Sequence, residues 1–267
     1  MSQFGTARQR IYRAKLHAKS MTEFWNGFDT RAAYTHRVEI AGDGTGKIFL
    51  SPVKADWLSS FPLQFGEMLY QLRAALDSCV YDCAILQTGK NPPPDERNLQ
   101  FPICTNPESF NNCLGQIRPL SNDVKAFIKS VQPYQTAPPK EAEMGRILGI
   151  INDWARIDRH RTLPIIGAFP SNVAAQLGLP LGMALEWSTT GDRRLLEHES
   201  QFAAFKISGY RPDAQIEVDL AVRLEVALDR IGGFEIITKT PSAMTAIVEE
   251  VIKGFERILG IARDEVS

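Results

Sequence analysis

"FGEMLYQLRAALDSCVYDCAIL", residues 65–86, decides the fold. Phe65, Met68, Leu69, Leu72, Leu76, Cys79, Val80, Cys83 and Leu86 recur at i, i+3, i+4 spacing. That period predicts one long helix over 61–87 with a single buried stripe. Two opposite charges interrupt it. Arg73 and Asp77 stand one turn apart at the margin of the stripe, where they can pair along the helix.

Upstream, 6–26 reads as a helix carrying Ile11, Tyr12, Leu16, Met21, Phe24 and Trp25 at roughly helical spacing. Arg8, Arg10, Arg13, Lys15 and Lys19 precede its first acid, Glu23. We read them as a solvated basic face, with a phosphate-contacting helix as the alternative. "AYTHRVEIAGDGTGKIFLSP", 33–52, alternates around a glycine-rich turn and predicts a hairpin, on which His36 is structural.

Downstream, "TGKNPPPDERN" breaks the long helix, and "FPIC", 101–104, is a short extended piece. Two short helices follow, the second capped by Ser121 or Asn122 and ended by Pro133. The next helix, 140–159, buries Met144, Ile147, Leu148, Ile151, Trp154 and Ala155; the stripe continued by one turn lands on Asp158. Pro164 ends it. From 163 to 231, "GMALEWSTT", "RRLLEHESQFAAFKI" and "AQIEVDLAVRLEVAL" predict antiparallel strands. "KTPSAMTAIVEEVIKGFERILGIA" predicts a closing helix with Thr240 at its cap and Pro241 at its first position.

The expected fold class is α+β: a helical bundle of four to five main helices with a small N-terminal hairpin and an inserted antiparallel sheet of three to five strands. The expected divisions are 1–162 for bundle and hairpin, 163–237 for the β insertion, and 238–267 for a helix returning to the bundle.

Composition is that of an ordinary globular chain, with 44% hydrophobic and 23% charged residues in 267. A formal net charge of -1 provides no global field for nucleic acid, so any such contact needs a local patch. No apolar leader follows "MSQFGTARQR", and no run long enough to span a bilayer occurs, so we expect a cytoplasmic protein with no membrane contact. Cys79, Cys83, Cys104 and Cys113 form no CxxC pair and read as reduced thiols. Phosphate-loop, dinucleotide and nucleophile-elbow motifs are missing from the sequence. "EHE", 197–199, splits its glutamates and His198 between two faces of a strand, a poor metal site. No metal and no cofactor is expected.

The remaining chemistry lies in "LYQLRAALDS", 69–78, and "NDWARIDRHR", 152–161. A carboxylate on a buried stripe needs a counter-charge, so Asp158 or Asp77, or both, should meet Arg73. His160 and Arg161 follow Asp158 directly. An imidazole near neutral pH moves protons and a guanidinium stabilises a crowded phosphate, the minimum set for metal-free RNA cleavage. Arg156 and Arg159 add a local basic patch.

These two stretches resemble the motifs of a widespread family of bacterial proteins, roughly G-x-x-L-x-x-L-R-x-A-L-D-H and L-x-x-x-D-K-H-R. Its Arg-x4-His spacing is similar to that of HEPN domains, helical bundles found in metal-independent ribonucleases and in non-catalytic nucleotide-binding or scaffolding relatives. The resemblance covers 61–165. It implies RNA as a partner, Arg73, His160 and Arg161 as catalytic residues, Asp77, Asp158 and Asn152 as supporting ones, and Arg156 and Arg159 as nucleic-acid contacts. A homodimer, or a protein partner held through the sheet, is compatible with it. The chain departs from the pattern at one decisive place: the motif histidine is Ser78, and serine cannot serve as a base near pH 7. The alternative function is therefore a non-catalytic interaction or scaffold protein, in which Arg73 and Asp158 lock helix register.

Overall fold

A computed structural model describes residues 3–27, 34–53, 60–160, 165–190, 199–230, 233–236 and 240–261. The chain is α+β and divides into two compact units. The first comprises Met1–Glu23, Ser60–Leu163 and Lys239–Ser267 and is helical; the second comprises Phe24–Ser59 and Pro164–Thr238 and is built on strands.

In the helical unit, α1 (Gly5–Gly27), α2 (Ser60–Thr88), α5 (Pro139–His160) and α6 (Thr240–Ile258) are long, while α3 (Pro107–Asn112) and α4 (Asn122–Ser130) are short. α2 buries the predicted stripe from Phe65 to Cys83, but Leu86 is exposed. It packs on α5 and α6, which also touch one another. The stripe of α1 differs from the one expected. Phe4, Ala7, Ile11, Ala14, Ala18 and Met21 are buried, while Tyr12, Leu16 and Phe24 are exposed. Three of the six are alanines, which a hydropathy scan underweights.

The basic face of α1 is exposed at Arg8, Arg13, Lys15 and Lys19, as expected. Arg8 also pairs with Glu256, which is buried, and Lys15 with Glu249 at 2.8 Å, both acids of α6. Phe255 of α6 anchors the core, with Phe127 at 5.5 Å and Phe4 and Phe101 each at 6.2 Å between ring centroids. A Cβ at Gly254 would lie 2.1 Å from the Phe127 ring, so glycine is needed there for close approach. Ser121 caps α4, accepting the Val124 N–H.

The extended residues 101–104 lie in no described sheet, and side chains take several of their backbone groups. Buried Gln132 accepts the Cys104 N–H at 2.9 Å through Oε1 and donates through Nε2 to the Pro102 carbonyl at 2.9 Å and the Ile128 carbonyl at 2.8 Å. Arg73 and Asp77 hold Phe101, as described below.

The hairpin β1 (Tyr34–Ile40) and β2 (Thr45–Pro52) was expected with the bundle. It belongs to the strand unit instead, because β2 pairs with β5 (Ser200–Ser208) in a sheet ordered β1-β2-β5-β4, with β4 at Ala184–Thr190. An edge strand with one apolar face finds its ladder partner far along the chain. A second sheet, ordered β3-β6-β7, holds Ile165–Gly178, Glu217–Arg230 and Gly233–Ile236. One inserted sheet was expected; the described residues form two. In the first, Ile48, Leu50, Ala203, Phe205 and Ile207 are buried, and Phe205 packs edge-on to Trp187 at 5.6 Å. Gly44 at φ 80° makes the "GDGTG" turn, and Gly46 leaves room for the Phe205 ring, 2.1 Å from where a Cβ would stand. No described helix is long and apolar enough to cross a membrane.

Gln132→Leu keeps volume but strands the buried Pro102 carbonyl and Cys104 amide. We expect a loss of about 1–3 kcal/mol, read as a lower melting temperature. A change of less than about 0.5 kcal/mol, the scale of an ordinary surface substitution, would mean that aromatic packing alone holds the segment.

Candidate functional site

The two motif stretches meet in the helical unit. Gly66, Tyr70, Arg73, Ala74, Asp77 and Ser78 lie along one face of α2, and with Ala155 and Asp158 of α5, Arg10 of α1 and Gln100 they line a cleft of about 360 Å³. A volume of that size suits a small ligand.

Arg73 faces inward. Its Nη1 and Nη2 donate to the Phe101 carbonyl, each at 3.3 Å, and Nη2 lies 3.5 Å from Asp77 Oδ1. Asp77 Oδ1 accepts the Phe101 N–H at 2.9 Å. One i, i+4 pair thus grips both backbone groups of one residue, whose ring is buried against Phe255. The Arg73 side chain is only 14% exposed. This corrects the expected lock: the ion pair of Arg73 runs to Asp77, and the tertiary contact is a backbone carbonyl instead of Asp158.

Asp158 sits elsewhere in the same cleft. A Cβ on Gly66 would lie 2.5 Å from each of its carboxylate oxygens, so the motif glycine is what admits the α5 carboxylate against α2. Burial pushes the Asp158 carboxyl up from the ordinary carboxylate range, and no positive charge among the described residues offsets it. Arg10 is half-buried. Its Nη1 donates to Gln71 Oε1 at 3.3 Å and its guanidinium lies 6.0 Å from the centre of the Tyr70 ring, yet its buried Nε–H has no acceptor. Tyr70 is 62% exposed.

Of the other expected site residues, only Asn152 and Arg156 have described side chains. Ser78 turns its hydroxyl back to the Ala74 carbonyl at 2.7 Å, a helix-internal bond that ties up the side chain at the motif-histidine position. Asn152 is half-buried on α5 and does not line the cleft; Arg156 is exposed. His160 is the last residue of α5, and its side chain and that of Arg159 lie outside the description, as does Arg161 entirely. His198, proposed above as a poor ligand, also lies outside the described residues, and these contain no cluster of three metal-ligating side chains. Cys104 and Cys113 share a thiol hydrogen bond, and burial with that bond pushes Cys104 up to about 12. Burial pushes Cys79 and Cys83 up as well, so none of these three is a ready thiolate. A second depression, of about 230 Å³ between α1 and α6, has its charges paired across it by Arg8–Glu256 and Lys15–Glu249.

Sequence reasoning named Arg10 only as one cation of a basic face and Gly66 only as a motif position, and gave Gln100 and Phe101 no role. Only Gly66 carried a signal: a glycine inside a long helix is costly unless something needs the space.

The chain matches no family model, no curated protein and no solved structure.

Asp158 has a folded pKa above the unfolded one, so its contribution favours folding at low pH and is lost as pH rises through the folded value. We expect Asp158→Asn to melt at or above wild type at pH 7, the gap closing as the pH falls to about 3.5, below the ordinary aspartate value. Melting curves at stepped pH test this. Gly66→Ala should lower stability, and less so in an Asp158→Ala background, a coupling read from a double-mutant cycle.

Proposed function

We propose that this chain is a non-catalytic, HEPN-like binding or scaffold protein whose helical unit holds its ligand in the α1–α2–α5 cleft. The observation that carries this reading is the commitment of Arg73 to Phe101 and Asp77. A catalytic arginine must reach charge developing on a phosphate. Here the guanidinium stabilises a backbone carbonyl beside the aromatic core, and using it on substrate would leave that carbonyl unsatisfied. Ser78 supports the same reading, since its hydroxyl is not an imidazole and is bonded within the helix.

RNA association without cleavage is a second reading. A shallow groove of about 540 Å³ shares Asp77 and Gln100 with the cleft and carries Arg97 and Arg118. Arg118 pairs with Asp95 at 3.0 Å, while Arg97 is exposed. Such a groove suits a phosphate backbone leading from a base held in the cleft.

The test is cleavage of a mixed RNA pool with EDTA present, using wild type, Arg73→Lys and His160→Ala, together with their melting temperatures. We expect no cleavage by any of them. Lysine keeps the charge but loses the fork on Phe101, so Arg73→Lys should lose on the order of 1–2 kcal/mol. His160→Ala should melt with wild type. Cleavage by wild type that both variants lose at unchanged melting temperature would establish a nuclease instead.

A further inference from the structure

We propose that the α1–α2–α5 cleft is a guanine site, with Asp158 reading the donor edge of the base, Arg10 its acceptor edge, and Tyr70 its face. The inference rests on the cleft being the binding site, and it uses none of the residues that hold Phe101. Three features at the cleft call for different complements. The Asp158 carboxylate has two acceptor oxygens set against Gly66, with no cation beside it among the described residues to neutralise them. It calls for a pair of N–H donors. The Arg10 guanidinium lines the same cleft and calls for a carbonyl oxygen or ring nitrogen. The Tyr70 ring is exposed and has the Arg10 guanidinium near it, a surface on which a flat π system stacks.

One common planar group carries all three complements. Guanine offers N1–H and the N2 amino group as adjacent donors for a carboxylate, and O6 and N7 as acceptors for a guanidinium. Adenine has no N1–H and no carbonyl, and would place a ring nitrogen lone pair against Asp158. Uracil and cytosine lack the adjacent donor pair. The cleft, at about 360 Å³, takes a single base and its sugar. The base can belong to a free nucleotide or to single-stranded RNA, and Arg97 in the adjoining groove is placed to separate the two.

The experiment is titration calorimetry of the full chain with GMP, AMP, and short single-stranded RNAs containing or lacking guanine, with cleavage monitored in the same samples. We expect GMP to bind at least about tenfold tighter than AMP, the lower end for a good bidentate contact. Asp158→Asn and Tyr70→Ala should abolish that preference without lowering the melting temperature. Equal affinity for GMP and for guanine-containing RNA would identify the free nucleotide as the ligand. Tighter RNA binding that Arg97→Ala weakens, with GMP binding unaffected, would identify RNA. Absence of a guanine preference, or a preference that survives Asp158→Asn, overturns the assignment. RNA cleavage in these samples would overturn the non-catalytic reading alone and leave the base preference readable.

Discussion

The helical unit depends on how residues 101–104 are fastened. An extended strip inside a helical bundle has no ladder to satisfy its amides and carbonyls, and each one left bare costs as much as a lost hydrogen bond. Three side chains supply what a neighbouring strand would have supplied. Arg73 and Asp77 take the carbonyl and the amide of Phe101, and Gln132 takes the carbonyl of Pro102 and the amide of Cys104. With its backbone held, Phe101 can place its ring against Phe255 of the last helix. The charged pair in the middle of α2 therefore couples that helix to the strip and, through Phe101, to α6 far along the chain.

That geometry sets the balance of functional readings. Arginine is suited to a catalytic phosphate site because its fork is rigid and always charged. The same properties suit it to a backbone carbonyl at the edge of a core. Here the fork is engaged by protein, while Arg10, Tyr70 and Asp158 line the same cleft from three helices. Asp158 reaches the cleft wall because Gly66 has no side chain in its place. A register lock and a binding site can occupy one helix face, since residues four apart lie side by side without using the same groups.

Charge distribution separates local from global behaviour. The chain is almost neutral, and the run of cations along α1 looked from the sequence like a free basic face. Two of them meet acids of α6 brought in from the other end of the chain. A periodicity argument reveals a face but not its partner. The Lys15–Glu249 pair is exposed on both sides and contributes little to stability, whereas the Arg8–Glu256 pair has its acid buried.

The sequence by itself determined the elements. Apolar spacing marked α2, α5 and α6, the Gly-Asp-Gly turn marked the hairpin, and Ser121 marked a helix cap, because these signals depend only on residues a few positions apart. It also brought forward Arg73, Asp77 and Asp158 as charges needing partners. Which partners they found was decided by tertiary structure. Asp77 and Asp158 are both spaced to meet Arg73 on paper, but only packing places Phe101 between the choices. Gln132, in "KSVQPY", carries no mark at all in the sequence, since its role arises from a strip thirty residues earlier. The hairpin likewise went to β5 because strand partners are chosen by edges and apolar faces that meet only after folding. Local rules act over one or two turns of chain; burial, pairing and the opening of a cleft depend on contacts that no short window contains.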